Sequence, residues 1–322
     1  MNQPEIVGRF APTPSGRMHL GNVFCALLAW LSAKSQGGRI ILRIEDLDTE
    51  RAPRAFASLL EEDFRWLGLV WDEGGSEGGP HGPYYQSERT EIYLQAYEKL
   101  EGLGLLYPCF CSRSELHAAE APHMSDGRFI YTGRCRNLTD EERLEKSRRR
   151  KPAARIRVPD RVLSFEDLHY GHQEEYLPEE CGDFVIRRAD GVFAYQLAAA
   201  LDDGLMGVTE VVRGSDLLSS SPRQIWLQQT LGLPSPRYGH IPLLTAPDGR
   251  RLSKRDGDLD LGALRQRFSG PEPILGLLGH LAGLLDRPEP VKAEELIPLF
   301  DWNKIPADDL VMTEEMLQTL NG

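Results

Sequence analysis

The sequence predicts an α/β protein built on a parallel, Rossmann-like nucleotide-binding sheet that is split by an insertion. Three observations carry this reading. Short β-branched runs alternate with amphipathic helical stretches through the first third of the chain. The rhythm breaks near Leu105–Pro178, where two close cysteines and a charge-dense stretch appear, and then resumes. The chain has 322 residues, 41% hydrophobic and 27% charged, which suits a globular protein of about two domains. A disordered tail, a fibrous repeat and a small disulfide-stapled domain are excluded.

Ile6–Phe10 is a short strand, and Asn22–Lys34 carries Val23, Leu27, Trp30 and Leu31 at helical spacing. Arg39–Ile44 is apolar and β-branched, as a strand covered on both faces must be. Ala55–Leu67 and Glu88–Leu103 read as amphipathic helices, so strand and helix alternate and right-handed crossovers follow. Asp140–Lys151 is a charge-dense helix closed by Pro152. Arg155–Val158 follows, then a hairpin-like pair, Phe184–Arg187 and Val192–Gln196, joined through Ala189-Asp190-Gly191. Val208–Val212 and Pro222–Leu231 return to strand and helix, and the chain from Leu259 is helical with proline breaks. The expected divisions are 1–104 and 179–258 for the two halves of the nucleotide-binding domain, 105–178 for the insertion and 259–322 for a short helical end.

With 37 Lys+Arg against 49 Asp+Glu, the net charge of −12 argues against non-specific nucleic-acid binding. The basic run Ser147–Lys151, with Arg155 and Arg157 after it, is the place where RNA phosphates could be met, or else a solvated helix face. Met1–Glu5 lacks the features of a signal peptide, and Ile274–Leu285 is too short to span a bilayer. Five cysteines without an export signal suggest reduced thiols and a cytoplasmic protein. Cys25 lies on an apolar helix and belongs to the core. Cys109, Cys111 and Cys135 could give zinc three thiolates, and chemistry alone would choose His117 or His123 as the fourth ligand.

Two loops carry the remaining chemistry. Arg9–Asn22 joins the first strand to the first helix, and its glycines let backbone approach an anion at the helix N-terminus, with His19 as a donor. Gly249–Asp256 gathers three arginines and Lys254 around Ser253, a composition suited to a polyphosphate. Together they resemble the two signatures of class I aminoacyl-tRNA synthetases: His19-Leu20-Gly21-Asn22 matches HIGH, and Arg251-Leu252-Ser253-Lys254-Arg255 matches KMSKS. Pro12–Gly16, Arg43–Asp48, Phe193–Ala198 and Val212–Leu217 are similar to the glutamyl-tRNA synthetase branch. Asn22 replaces the second histidine and Arg251 the first lysine, which leaves Lys254 as the phosphate contact.

The resemblance implies an ATP-dependent ligase that binds ATP with Mg²⁺, His19 and Lys254 being catalytic. It implies a glutamate site of Arg9, Phe10, Ala11, Pro12, Thr13, Glu45, Tyr195 and Arg213, and an ATP site of His19, Gly21, Arg251, Leu252, Ser253, Lys254 and Arg255. Arg213 would pair a carboxylate of the amino acid and Glu45 its α-ammonium. His19 and Lys254 would face one pocket at the carboxyl ends of the strands. Cys-x-Cys followed by Tyr-x-x-x-Cys resembles the zinc site of glutamyl-queuosine tRNA(Asp) synthetases, which makes Tyr131 the fourth ligand beside Cys109, Cys111 and Cys135. That family lacks an anticodon-binding domain, and the residues after Arg255 supply only a few short helices. The expected partners are therefore L-glutamate, ATP and the queuosine of tRNA(Asp), the protein acting as a monomer away from membranes. The alternatives are a truncated or discriminating glutamyl-tRNA synthetase that charges a 3′ end, and an inactive synthetase-like RNA-binding protein.

Overall fold

A computed structural model describes residues 5–112, 115, 130–250, 252, 260–313 and 315–316. The first half runs β1 (Val7–Phe10), α1 (Leu20–Ser35), β2 (Arg39–Leu42), α2 (Ala55–Leu67), β3 (Glu73–Gly74) and α3 (Thr90–Gly102). β1, β2 and β3 are parallel neighbours in that order. Helix α2 stops at Gly68, whose φ of 74° is left-handed and whose N–H caps the last turn.

The middle of the chain runs β4 (Leu106–Cys109), α4 (Asp140–Arg149), β5 (Ala153–Ile156), β6 (Val162–Asp167), β7 (Gly171–Tyr176), α5 (Leu177–Glu180) and β8 (Phe184–Arg187). β4, β5 and β8 form an antiparallel sheet of their own. Thr139 caps α4 by accepting from the Glu142 N–H, and Glu142 returns the bond to the Thr139 N–H. Strand pairing crosses the 105–178 bounds: the β6–β7 hairpin joins the second sheet through β10 and makes that sheet mixed rather than parallel, while β8 pairs with β5.

The remainder comprises α6 (Tyr195–Leu205), β9 (Glu210–Gly214), α7 (Ser221–Leu231), β10 (Arg237–Ile241), β11 (Leu244–Thr245), α8 (Leu261–Arg267), α9 (Glu272–Leu281), α10 (Ala293–Leu296) and β12 (Leu310–Val311). Two expectations need correction. The second strand expected at Val192–Gln196 is a single bridge from Phe193 to Arg187, after which Tyr195 opens α6. A tight turn explains this: Gly191 N–H donates to Arg188 O, and the alanine-rich run beyond it favours helix. The chain's end is also not wholly helical, because β12 pairs in parallel with β11.

Thr209 joins the β1–β2–β3 sheet to the sheet that holds β9: its N–H donates to Val7 O (2.9 Å), and its hydroxyl accepts from Val7 N–H (2.8 Å). The strand order becomes β3-β2-β1, then β9-β10-β6-β7, which reverses direction between β1 and β9. Alternation along these strands makes two cores. Phe10, Ile40, Leu42, Val212 and Ile241 face α1, α2 and the late helices, whereas Val7, Ile41, Val211 and Tyr238 face α3, α6 and α7. Each such aliphatic side chain, fully buried, contributes about 1.5–3 kcal/mol. Among the described residues no helix is long and apolar enough to cross a membrane.

Asp63 on α2 fastens the first loop to the late helices. Its Oδ1 accepts from Arg17 Nη1 (2.5 Å) and Arg265 Nη1 (2.9 Å), and burial raises its pKa against the pull of both arginines. Asp63→Ala should lower stability by about 1–2 kcal/mol, toward the low end for a buried ion pair, because both arginines can hydrate. The two guanidiniums are 32% and 29% exposed. A urea titration measures the effect, and an unchanged midpoint would show that packing alone holds this junction.

Candidate active site

At the carboxyl ends of β1, β9 and β10, where the strand order reverses, lies a cavity of about 790 Å³. Arg9, Phe10, Ala11, Pro12, Thr13, His19, Gly21, Glu45, Tyr195, Arg213 and Leu252 all line it. They come from segments far apart in sequence. Arg43 N–H donates to Phe10 O (2.8 Å) and Glu45 N–H to Pro12 O (3.0 Å), so β2 continues alongside the first loop and delivers Glu45 to the cavity. Phe10 stacks on Phe64 (4.5 Å between ring centroids), so its ring belongs to the core as well as the wall. Cys25 packs against that core and also lines the cavity, where burial pushes its thiol up to about 11 and keeps it neutral.

Gly16, with φ of 134°, lets the first loop turn in a way that side chains resist, and His19 then becomes the N-cap of α1. Asn22 Oδ1 accepts from His19 N–H (3.3 Å), so the residue standing at the second histidine of HIGH closes the helix entrance. A Cβ on Gly21 would lie 3.1 Å from two atoms of the His19 ring, which is tight packing against the imidazole. Arg251, Ser253, Lys254 and Arg255 lie outside the described residues. Their flanks are placed: Leu252 N–H donates to Leu244 O, and Asp260 bridges to His19 while Leu261 N–H donates to Met18 O.

Charge inside the cavity is divided. On one side Arg43, wholly buried, bonds Asp203 Oδ1 (2.7 Å) and Glu45 Oε1 (3.1 Å), and Arg9 Nε lies 3.7 Å from Asp203. Burial pushes the Glu45 carboxyl up despite Arg43 and Arg9, so a second cation beside it would be welcome. On the other side Arg213 is buried, and among the described residues the groups it hydrogen-bonds are neutral. Its Nη1 donates to Gln224 Oε1 (2.8 Å), Nη2 to Ser221 Oγ (2.8 Å) and Nε to His240 Nε2 (3.1 Å). Two long contacts, Nη1 to Tyr195 Oη (3.5 Å) and Nη2 to Leu217 O (3.4 Å), point to cavity-lining residues. Gln196 Oε1 accepts from Gln224 Nε2 (3.0 Å), which turns the Gln224 carbonyl toward Arg213.

Arg213 can only donate, so His240 Nε2 is the acceptor and Nδ1–H donates to Asp167 Oδ2 (2.6 Å). Burial first, then the Arg213 charge, lowers the His240 pKa below its ordinary value despite Asp167, and the ring is neutral. Sequence reading missed Arg43, Asp203, Asp167 and His240 as site residues. Two of them gave a signal: Arg43 opens the Arg43–Asp48 run, and His240 stands in a buried stretch of β10.

The sulfurs of Cys109, Cys111 and Cys135 lie within 4.8 Å of one another. Cys111 Sγ is 3.6 Å from Cys135 Sγ, and Tyr131 Oη is 3.4 Å from Cys109 Sγ and 3.7 Å from Cys111 Sγ. A tetrahedral zinc with bonds of about 2.3 Å to sulfur would space its ligands by roughly 3.5–3.8 Å, so the donor set fits. Burial raises the Cys109 thiol, but the Tyr131 hydroxyl and Arg155, whose Nε is 3.3 Å away, bring it below its ordinary value. His117 and His123 lie outside the described residues.

The family model for class I tRNA synthetases (E and Q), catalytic domain, matches residues 5–318. The chain belongs to the class I aminoacyl-tRNA synthetases. As such it is a ligase. This synthetase is 52% identical to the glutamyl-Q tRNA(Asp) synthetase of Symbiobacterium thermophilum, over 98% of this chain and 99% of that one. It is 47% identical to the protein of the same name from Nitratidesulfovibrio vulgaris, over 98% of each. The crystal structure of the glutamate-tRNA synthetase from Elizabethkingia anophelis superposes with a TM-score of 0.83 at 31% identity, covering 98% of this synthetase and 70% of that chain.

Proposed function

We propose that this synthetase activates L-glutamate with ATP, without tRNA, and transfers it to the queuosine of tRNA(Asp). The observation that carries the amino-acid assignment is Arg213: a buried guanidinium on neutral acceptors, lining the same cavity as Glu45. A buried cation calls for an anion, and a buried carboxylate with a raised pKa calls for a cation. Glutamate brings both. Its side-chain carboxylate would replace the long contacts of Arg213 to Tyr195 and Leu217, with Arg9 beside it, and its ammonium would meet Glu45.

The α-carboxylate oxygen attacks the α-phosphorus of ATP, the bond to the bridging oxygen breaks, and pyrophosphate leaves with Mg²⁺. A hydroxyl of the RNA then attacks the acyl carbon, and AMP departs. Positioning and charge neutralisation supply the catalysis. His19 at the head of α1 and Lys254 act on the phosphates, with Gly21, Arg251, Leu252, Ser253 and Arg255 completing the ATP site. The choice of queuosine is supported by the names of the two relatives spanned almost end to end, and by its cyclopentenediol, which presents vicinal hydroxyls as a terminal ribose does. We place the enzyme in the cytoplasm as a monomer. Cys109, Cys111, Tyr131 and Cys135 would hold one structural zinc within the insertion, and with all four positions filled by protein the metal does no chemistry.

ATP–pyrophosphate exchange should proceed with glutamate in the absence of tRNA and at least about a hundredfold better than with glutamine, because an unpaired buried guanidinium costs several kcal/mol. Near-equal rates would refute the role of Arg213. Labelled glutamate should pass to tRNA(Asp) that carries queuosine, whether or not the terminal adenosine is present. Loss of labelling on removing that adenosine would instead identify a synthetase that charges the 3′ end. Protein purified without added metal should contain zinc in a one-to-one ratio, and Cys135→Ser should lose it along with stability of the insertion. Wild-type protein that is metal-free, folded and active would remove zinc from the account.

A further inference from the structure

We propose that His240 is a positioning residue for amino-acid selection: its Nε2 lone pair fixes the Arg213 guanidinium with both Nη groups turned to the cavity. This rests on the reading of Arg213 as the partner of the substrate carboxylate. Three neighbouring strands supply the parts in register. Asp167 on β6 pairs with Tyr238 on β10, and His240, two residues on, is the Cα partner of Arg213 on β9. Side chains two apart on one strand share a face, so Tyr238 lies parallel to the His240 ring (10° between planes) and 5.1 Å below the guanidinium.

Asp167 is the fixed end of the row. Its Oδ1 accepts the backbone N–H groups of His169 (3.0 Å), Tyr170 (3.0 Å) and His240 (3.2 Å), leaving Oδ2 for the imidazole. That bond places the ring proton on Nδ1 and leaves Nε2 bare toward Arg213 Nε and the Ser221 hydroxyl, 3.3 Å away. A carboxylate placed directly on Arg213 would satisfy its charge and compete with substrate. The neutral ring orients the guanidinium without doing so, and the Asp167 charge stays one side chain removed. The substrate carboxylate then meets a cation that is held in place by neutral groups.

His240→Leu and His240→Gln, compared with wild type in glutamate-dependent ATP–pyrophosphate exchange, test this. Glutamine can return an amide oxygen to the place of Nε2, whereas leucine cannot. For His240→Leu the KM for glutamate should rise on the order of 10- to 100-fold, the loss expected for one hydrogen bond to a charged group, with the KM for ATP unchanged. His240→Gln should recover most of that affinity. A His240→Leu enzyme with an unaltered KM for glutamate, KM values for glutamate and ATP that rise together, or a His240→Gln enzyme as weak as His240→Leu would each overturn the proposal. Wild-type protein that exchanges with no glutamate dependence would remove the underlying reading of Arg213, and the role of His240 with it. Active wild type with unaffected variants would remove only the role of His240.

Discussion

The guanidinium of Arg213 sets the terms for the rest of the cavity. It leaves water at the end of β9, yet the groups gathered round it, Gln224, Ser221 and His240, are neutral. Three nearby carboxylates are engaged elsewhere: Asp203 with Arg43 and Arg9, Glu45 with Arg43, and Asp202 with Arg89 and Tyr93. That division costs stability, because a buried guanidinium held by neutral groups gains less than one paired directly with a carboxylate. It is also what a recognition site for an acid requires. A site whose own charges all cancelled would leave a carboxylate little reason to exchange water for protein.

The same division holds the two halves of the chain together. Arg9, Arg43 and Arg89 belong to the first third of the sequence, and Asp202 and Asp203 to α6 in the second half. Asp202 Oδ2 accepts from Gln86 Nε2 (2.8 Å) and Tyr93 Oη (2.9 Å), so its lone pairs are spent even though it is wholly buried. The middle of the chain can therefore leave the sheet, form β4, β5 and β8, and return without loosening the cavity. The cavity is lined by elements on either side of the excursion, and Thr209 closes the seam between β1 and β9.

Much of this was legible in the sequence, for reasons tied to particular residues. Arg39–Ile44 announces a strand covered on both faces because Ile40, Ile41 and Leu42 leave no polar side, and the structure forms it over Arg39–Leu42. The first loop and the Arg213 segment could be singled out because their chemistry is carried by short contiguous runs. The Asp167–His240–Arg213 row could not, since three neighbouring strands supply one residue each and only the sheet order brings them together. Phe193 shows the converse: a turn with one bridge looks like a hairpin in sequence, and the decision between strand and helix falls to the alanines beyond it.

Under the proposed function, selection of the amino acid and selection of the acceptor belong to different parts of the molecule. In the proposed reaction the cavity would tell an acid from an amide through Arg213 with Arg9 beside it, and an acyl-adenylate would be open to either vicinal diol. Discrimination between RNA ends must come from the surface that holds the polynucleotide, and in a chain of net charge −12 that surface has to be locally basic. The exposed C-terminal turn of α4, with Arg148 and Arg149, followed by Arg150 and Lys151, supplies such a patch where α4 leads into β5. β5 in turn pairs with β4, which carries Cys109 of the metal-fitting cluster. A zinc that stiffens those strands would act on the reaction only by deciding which RNA hydroxyl arrives at the adenylate.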